Sequence, residues 1–443
     1  MALIVLADFL LPARIILLVA AAIPFIYYGI AIFSTLRFFR RPKRFTSRFL
    51  PPVSNLKPVL GLDPEAYENF ASFCRQDYPE YEVIFCVGDS SDPALPVIQR
   101  LQADFPGTRI RVVIGAGRTA TNDKVAKLAR LVEEASYEHL VISDSDVRVE
   151  PDYLRRIVAP MADPGTGAVT CFYVPEKETG WVQRLQEVGM LSDFYPGILT
   201  AWQLDGVKFA LGPTICTTRS HLAEFSGYPS IQNKPADDLW VGRLIAECGH
   251  EVVLLPYAVS TVPDYSSFRE LFFKRLRWIT VMRHLRPWGH AGLIFTLGLP
   301  WALLAVAAVP SAAVAGIYLG GYFLARSVLT LLVGSAGLHQ PGVWAKLPLI
   351  PLWDLLASVI WVLSFAHNSI RWRGHRYAIV DGNLVPLTSI ASGSAIPAPA
   401  APGASRPAGI HAALDLQPEA PAALRTPTVS SSLRAGDLAS LTE

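Results

Sequence analysis

The stretch Val141-Ile-Ser-Asp-Ser-Asp-Val-Arg-Val149 places two carboxylates, Asp144 and Asp146, directly after an apolar run. Such a run is typical of a buried strand, and residues two apart on a strand point to the same face. Two carboxylates on one face repel each other unless a cation lies between them. Mg²⁺ and Mn²⁺ take carboxylate oxygens and commonly complete their shells with substrate phosphates. The stretch favours a metal and diphosphate site at the carboxyl end of a strand; the alternative is a solvated turn that caps the next helix.

Strands and helices alternate on the amino-terminal side of this stretch. Strands are predicted at 52–59, 81–87 and 110–114, with helices near 64–75 and 94–104. Alternation of this kind is typical of a mostly parallel sheet covered by helices. The predicted class is therefore an α/β domain that binds its ligand at the carboxyl ends of its strands.

Further polar groups stand at strand or helix ends. Asp89 and Asp92 follow the second predicted strand, where they are either functional or simple helix caps. Lys124 opens a helix, where a cation is slightly unfavourable for the helix dipole, so it either reaches a phosphate or lies on the surface. Asp237 and Asp238 also open a helix. The dipole explains both, whereas a catalytic role needs only one of them, as a general base.

Two aromatic helical stretches come next. In the helix predicted at 268–286, Lys274, Arg277 and Trp278 share one face because they are three and four residues apart. This helix either lies on a membrane surface or covers a diphosphate with its cations. The stretch at 180–211 is either interfacial or a buried helix pair.

Composition points to a membrane protein. Of 443 residues, 51% are hydrophobic and only 17% are charged, and the formal net charge of +2 argues against a nucleic-acid partner. The five cysteines include no Cys-x-x-Cys pair, so a disulfide framework or a cysteine–zinc framework is not expected. The length allows two or three domains.

Residues 13–36 form an apolar run long enough to cross a bilayer. The alternative, a signal peptide that is removed, lacks a small-residue cleavage site. Basic residues follow at once, at Arg37, Arg40, Arg41, Lys43 and Arg44. By the positive-inside tendency, this cluster places the next domain in the cytoplasm. Three later runs are also long enough to span, at 290–309, 312–334 and 347–365.

Four crossings conflict with the charges that follow them. Basic residues 371–376 would then lie outside, so either one run is only interfacial or the positive-inside tendency is overridden. Arg326, inside the run at 312–334, is costly in lipid and should face the protein or an aqueous pocket. The predicted division is an N-terminus at 1–12, a transmembrane helix at 13–36, a cytoplasmic catalytic domain with interfacial helices at 37–287, transmembrane helices at 288–370, a basic segment at 371–392, and a disordered Ala/Pro-rich tail at 393–443.

Six stretches together carry a resemblance to one family. They are Val53-Ser-Asn-Leu-Lys-Pro-Val-Leu-Gly-Leu-Asp63, Asp77-Tyr-Pro-Glu-Tyr-Glu-Val83, Asp92-Pro93-Ala94, Asp144-Ser-Asp146, Asp237-Asp238 and Arg277-Trp278. Over about residues 11–377 the chain resembles the ceramide glucosyltransferases, a branch of the family 2/21-type inverting glycosyltransferases; hopanoid-associated bacterial transferases share these motifs. The resemblance implies a GT-A catalytic domain, with a mostly parallel mixed sheet and flanking helices, joined to one N-terminal and about three C-terminal transmembrane helices.

The resemblance also implies roles for single residues. Asp144 and Asp146 correspond to ligands of Mg²⁺ or Mn²⁺, and Asp238 corresponds to the catalytic base. Donor-binding positions are Lys57, Asp89, Asp92, Lys124, Asp144, Lys274, Arg277 and Trp278. Lys274 stands where the family has Gln or Arg, and it keeps the charge of Arg but loses the planar fork.

The implied activity is a single inverting displacement at a membrane. Glucose from UDP-glucose would pass to the primary hydroxyl of ceramide, giving a β-glycosyl lipid. The alternatives are N-acetylglucosaminyl or other glycosyl transfer to a hopanoid or another lipid, and, more remotely, polysaccharide synthesis. The expected partners are a UDP-sugar, a lipid acceptor and the bilayer, with no nucleic acid. The expected location is a multi-pass membrane protein of the bacterial inner membrane with its catalytic domain in the cytoplasm.

Overall fold

The acidic stretch directly follows a strand in the middle of an eight-stranded mixed sheet. The computed structural model describes residues 2–41, 48–117, 119–177, 180–263, 265–372 and 375–387. Its strands are β1 Val53–Pro58, β2 Tyr81–Val87, β3 Arg109–Ile114, β4 His139–Ile142, β5 Val147–Arg148, β6 Thr166–Pro175, β7 Ile215–Thr218 and β8 Glu251–Thr261. Their order in the sheet is β3-β2-β1-β4-β7-β6-β8-β5. Lys43 and Arg44 of the basic cluster, and the predicted tail at 393–443, lie outside the described residues.

The amino-terminal half of the sheet is parallel, as the alternation of strands and helices predicts. Strand β1 pairs in parallel with both β2 and β4, and β2 pairs in parallel with β3. Every residue of β1 is buried, as expected for a strand covered by helices on both faces. Strand β7 then runs antiparallel to β4 and β6, which makes the sheet mixed.

Helices cover both faces of this sheet. The helices of this part of the chain are α1 Ala2–Phe39, α2 Ala66–Cys74, α3 Leu95–Asp104, α4 Asp123–Glu134, α5 Tyr153–Val158, α6 Trp181–Gly189, α7 Tyr195–Asp205, α8 Arg219–Glu224, α9 Asp237–Glu247 and α10 Phe268–Leu285. Of these, α1 packs mainly on α7 and on the apolar helices that follow this domain. A π-helical turn, Met190–Phe194, joins α6 to α7. The first three strands and the two helices between them differ from their predicted ranges by at most two residues at either end.

Apolar helices follow the catalytic domain. They are α11 Pro287–Gly292, α12 Gly298–Ala308, α13 Ala312–Ala315, α14 Gly321–Leu331, α15 Val343–Lys346 and α16 Ile350–Ser364. Within the described residues, three continuous helices are long and apolar enough to span a membrane: Leu11–Phe39, Ala312–Gly337 and Val343–Ser364. A fourth candidate, Pro287–Phe295 with Gly298–Ala308, is bent by 44°. One N-terminal and two or three C-terminal apolar helices are thus confirmed.

A small antiparallel sheet follows the last apolar helix, and the sequence analysis did not predict it. Its strands are β9 Ser369–Trp372, β10 His375–Val380 and β11 Asn383–Pro386. Asp381 and Gly382 form the tight turn between β10 and β11, both with the positive φ that a two-residue hairpin requires. The Leu384 amide donates to the Asn233 carbonyl at 2.7 Å, and apolar side chains of this sheet pack with Val281 on α10. We call residues 369–386 the C-terminal sheet.

The C-terminal sheet constrains the topology that the sequence left open, if the apolar helices span a membrane. Because it is hydrogen-bonded to the catalytic domain, both lie on the same side of the membrane. An even number of crossings must therefore separate them. If Ala312–Gly337 and Val343–Ser364 both cross, the bent pair at 287–308 would enter and leave on one side.

Cysteine labelling tests this topology. Cys248 is the exposed cysteine of the catalytic domain, whereas Cys74, Cys86, Cys171 and Cys216 are buried. We expect a membrane-impermeant maleimide to label Cys248 and an added Arg376→Cys from the same side of sealed vesicles. Labelling of the two positions from opposite sides would show that the bent pair crosses.

Arg326 faces the protein, which confirms one of the two environments expected for it. Its side chain is 2% exposed and forms an ion pair with Asp354, with Nε 3.1 Å from Oδ2. The Tyr322 hydroxyl donates to the same carboxylate at 2.7 Å. The guanidinium also donates to the carbonyl of Ser192 in the π-helical turn. One buried cation therefore joins α14, α16 and the turn between α6 and α7.

Removing one partner of this pair should be costly. Asp354→Leu is expected to lower the free energy of unfolding by about 3–5 kcal/mol, because it leaves a buried guanidinium without its carboxylate. The double variant Arg326→Met/Asp354→Leu should recover most of that loss, since it buries neither charge. Thermal unfolding in detergent compares the three proteins. Equal destabilisation in the single and double variants would contradict this account.

Candidate active site

A lysine between two carboxylates forms the centre of the site. Lys124 Nζ lies 2.7 Å from Asp144 Oδ1 and 3.0 Å from Asp237 Oδ2. Asp144 follows β4, Lys124 lies in the first turn of α4, and Asp237 begins α9. Three segments far apart in sequence therefore meet at the carboxyl end of a central strand, where open α/β sheets bind ligands.

Asn122 holds the start of α4 in place. Its side-chain oxygen accepts from the Val125 amide at 3.4 Å, which caps the helix. Its side-chain amide donates to the Lys234 carbonyl at 2.9 Å, three residues before α9. The two helices that carry Lys124 and Asp237 are thus tied together at their first turns.

Asp238 lies across a narrow space from Asp144. Its Oδ2 accepts from the Gly212 amide at 2.9 Å, and its Oδ1 accepts from the Leu239 amide at 2.8 Å. A Cβ at Gly212 would lie 3.1 Å from Asp144 Oδ2 and 3.2 Å from Asp238 Oδ2. The glycine therefore leaves open a space that any other side chain would narrow, and two carboxylate oxygens face it.

The charges of this cluster are unequal. Burial opposes the charge on Lys124, but Asp144, Asp237 and Asp238 outweigh it and raise the pKa of the ammonium well above its ordinary value. Burial, and then the charge of Asp237, raise the pKa of Asp238 to about 6, while Lys124 acts in the opposite direction. Lys124 thus stays charged, and Asp238 is a carboxylate whose basicity suits a general base near neutral pH.

Groups beneath the acidic loop hold it in position. Lys57 is fully buried, donates from Nζ to the Asp144 carbonyl at 2.7 Å, and lies 3.6 Å from the centre of the Phe73 ring. Burial lowers the pKa of Lys57 to about 7, against the attraction of the nearby carboxylates. The Ser145 hydroxyl donates to Asp63 at 2.5 Å. Asp63 and Ser145 were not predicted as site residues, although both lie in the stretches that carry the family resemblance.

Asp146 is half-buried in the same loop. Its carbonyl accepts from the Val262 amide at 2.9 Å, which ties the loop to the residue after β8. The negative charges of Asp144 and Asp146 favour the charged form of the buried Lys57 ammonium. The loop with both carboxylates is therefore fixed at its backbone.

Asp89 and Asp92 lie in the loop after β2. Asp92 is buried and accepts from the amides of Ala94 at 3.0 Å, Gly61 at 3.3 Å and Gly88 at 3.5 Å. It therefore joins the loops that follow β1 and β2. Asp89 is exposed and accepts from the Ser91 hydroxyl and, at 2.7 Å, the Ser91 amide, and these bonds lower the pKa of its carboxyl group.

Predicted residues of α10 contact aromatic rings. Lys274 Nζ lies 4.9 Å from the centre of the Tyr265 ring, and the Arg277 guanidinium lies 5.9 Å from the Trp372 ring of the C-terminal sheet. Trp278 is 38% exposed, and its ring packs against that of Phe194 in a T-shaped arrangement with 6.2 Å between the ring centroids. These contacts place the basic face of α10 beside the C-terminal sheet and the turn between α6 and α7.

Arg275 and Tyr173 connect α10 to the acidic cluster, and neither was predicted. Burial lowers the pKa of Arg275, whose guanidinium lies 4.6 Å from the Trp353 ring. Burial raises the pKa of Tyr173, Arg275 opposes this rise, and Asp238, Asp146 and Asp144 add to it. The charges of Arg275 and of these carboxylates therefore both act on Tyr173 of β6. The sequence separation between Tyr173 and these carboxylates gives no indication that they lie near one another.

This sheet with its acidic edge defines a GT-A-type glycosyltransferase. The structure of mannosyltransferase PcManGT from Pyrobaculum calidifontis in complex with GDP-Man and Mn²⁺ has the same fold: it aligns with a TM-score of 0.54 and 19% identity over 79% of this chain and 98% of that one. The sequence profile of Glycosyl transferase family 21 matches residues 16–385, and the chain belongs to this family.

Curated relatives support the same assignment. Ceramide glucosyltransferase 1 of Caenorhabditis elegans is 24% identical over 54% of this chain and 51% of its own length. Ceramide glucosyltransferase of Gibberella zeae is 30% identical over 32% of this chain and 28% of its own length. The chain therefore spans about half the length of the Caenorhabditis elegans relative and less than a third of the length of the Gibberella zeae relative. The resemblance to the ceramide glucosyltransferases is confirmed.

A change at Asp237 should move the pH dependence of transfer. A base acts when deprotonated, so we expect transfer to fall as the pH drops through about 6, the pKa of Asp238. Asp237→Asn removes a negative neighbour, which lowers that pKa and moves the acid limb of kcat/KM down by roughly one pH unit. Glu247→Gln, at the exposed far end of α9, is the matched control and should leave the limb in place. An upward shift in the Asp237 variant would contradict the electrostatics.

Proposed function

We propose that this protein is a membrane-bound inverting glycosyltransferase that moves a sugar from a UDP-sugar to the hydroxyl group of a membrane lipid. The leading donor is UDP-glucose and the leading acceptor is ceramide, which gives a β-glucosyl lipid. The observation that carries the proposal is the pair of carboxylates, Asp144 and Asp238, that face one space beside Gly212. The family membership and the ceramide glucosyltransferase relatives support the acceptor class. Transfer to a hopanoid is the alternative.

The acidic loop fits a divalent metal ion. The Asp144 Oδ2 atom faces the space that Gly212 leaves open, and Asp146 follows in the same fixed loop. Carboxylate oxygens are the ligands that Mg²⁺ and Mn²⁺ prefer. Asp144 and Asp146 would hold the ion, and a bound ion supplies positive charge that stabilises a diphosphate leaving group.

The remaining residues have separate roles in one displacement. Asp238 takes the proton from the acceptor hydroxyl as that oxygen attacks the anomeric carbon from the side opposite the leaving group. Lys124 holds Asp144 in position and pairs with Asp237, which limits the rise in the pKa of Asp238. Lys274 and Arg277 add positive charge for the diphosphate, and Asp89, Asp92 and Lys57 shape the loops around the donor.

The membrane position of the site suits an apolar acceptor. Apolar helices flank the catalytic domain on both sides in sequence, and α6 and α7 expose Trp181 and Leu204. Arg37 in the last turn of α1, with Arg40 and Arg41 directly after it, favours a cytoplasmic catalytic domain. The proposed location is the bacterial inner membrane, where the lipid acceptor reaches the site from the bilayer and the nucleotide sugar from the cytoplasm.

Asp238→Asn tests the proposed base. It is expected to lower kcat by about 10²- to 10⁴-fold, because the amide cannot accept the proton, while the KM for the UDP-sugar changes little. Asp152→Asn, an exposed aspartate paired with Arg156, is the matched control and should keep full activity. The assay measures UDP release with Mn²⁺ and ceramide-containing micelles. Full activity of the Asp238 variant would refute the base assignment.

The lipid product identifies the acceptor. Mass spectrometry of the same reaction should show one hexose added to ceramide by the wild-type protein and almost none by Asp238→Asn. A hexose on a hopanoid supplied in parallel, with none on ceramide, would favour the alternative acceptor. A polymer instead of a single addition would contradict lipid transfer.

A further inference from the structure

Two histidines and a glutamate meet on the opposite end of α9 from the acidic cluster. His221 and Glu224 lie on α8, three residues apart, and His250 follows the turn that ends α9. His250 Nε2 lies 2.8 Å and 3.0 Å from the two oxygens of Glu224. The rings of His221 and His250 are 4.4 Å apart between centroids. One ligand atom from each of the three residues lies within 4.8 Å of the others.

Backbone contacts hold both halves of this cluster. The His221 amide donates to the Thr218 hydroxyl at 3.1 Å, which caps α8 directly after β7. On the other side, the Glu251 amide donates to the Gly165 carbonyl at 2.8 Å. A Cβ at Gly167 would lie 2.5 Å from the His250 Cβ, so His250 packs directly on a glycine of β6. The sheet therefore fixes the distance between the two histidines.

The side chains have the chemistry of a metal site. The Nδ1 atom of His221 is buried and has no hydrogen-bond partner among the described residues, and a buried polar atom without a partner is uncommon. Two imidazoles and a carboxylate are a common ligand set for Zn²⁺, with one position left for water.

We propose that His221, Glu224 and His250 bind a zinc ion that is separate from the ion of the transfer site. Helix α9 has eleven residues and separates the two sites by about 16 Å, at 1.5 Å of rise per residue. The zinc ion joins α8, which directly follows β7, to the turn after α9, where His250 packs on Gly167 of β6. Its role is to hold the carboxyl end of the helix that carries Asp237 and Asp238 at its other end.

The chain offers a way to measure this site apart from the transfer site. Full-length protein in detergent, with any affinity tag removed, is treated with EDTA and titrated with Zn²⁺ in an Asp144→Asn background. The background removes a carboxylate from the transfer site and leaves the histidines unchanged. We expect one zinc ion per chain in this background, a higher melting temperature with zinc than without, and, with Co²⁺, the visible absorption of a four-coordinate nitrogen and oxygen site.

Variants of the ligands decide the outcome. His250→Gln should weaken zinc binding by about 100-fold or more, since losing a direct ligand costs at least as much as losing an outer partner. Glu224→Gln changes an exposed side chain and gives a second test if His250→Gln does not fold. Without metal, both variants should melt close to the parent protein. Equal zinc affinity in the parent and both variants would overturn the site and leave a plain ion pair between His250 and Glu224. Because no step reads sugar transfer, this result would not affect the proposed function.

Discussion

The ammonium of Lys124 is the interaction on which the site depends. It lies between Asp144 and Asp237, and Asp238 faces the same space. Three carboxylates this close would repel each other, and an opposite charge nearby favours their ionised form. By pairing with two of them, Lys124 allows the loop after β4 and the first turn of α9 to meet. The third, Asp238, stays in contact with backbone amides and has a raised pKa.

A second set of buried charges joins the catalytic domain to the apolar helices. Arg326 and Asp354 form a pair that also contacts the carbonyl of Ser192, in the turn between α6 and α7. Lys346 Nζ lies 2.6 Å from Glu187 on α6, and both side chains are buried. Since a charge in lipid is costly, each cation is paired with a buried carboxylate: Arg326 with Asp354 on α16, and Lys346 with Glu187 on α6. Helix α6 and the turn after it are thus held to the apolar helices by polar contacts as well as by apolar packing.

Some predictions followed from local pattern alone, and others needed contacts that no pattern shows. The apolar strand ends and turn residues around Asp89 and Asp144 predicted the parallel half of the sheet, because burial on both faces leaves a continuous apolar run. The role of Lys124 was not predictable in the same way: its helix position suggested a phosphate ligand, whereas its neighbours are two carboxylates from distant segments. The C-terminal sheet was not predicted, because its basic residues suggested only a charged segment after the membrane helices. Residues 375–380 and the Asp381-Gly382 turn nevertheless carry a hairpin signal.

The sequence by itself determined the α/β class, the apolar helices, the family and the residue types that stand at the ends of its strands, because periodicity and turn chemistry are local. Only the tertiary structure decided which residues come together: Asp144 with Asp238 across Gly212, and Trp372 with Arg277. It also placed the C-terminal sheet on the domain that carries the acidic cluster. The reason is physical: pairing between strands and burial of charge are settled by contacts between segments far apart in the chain.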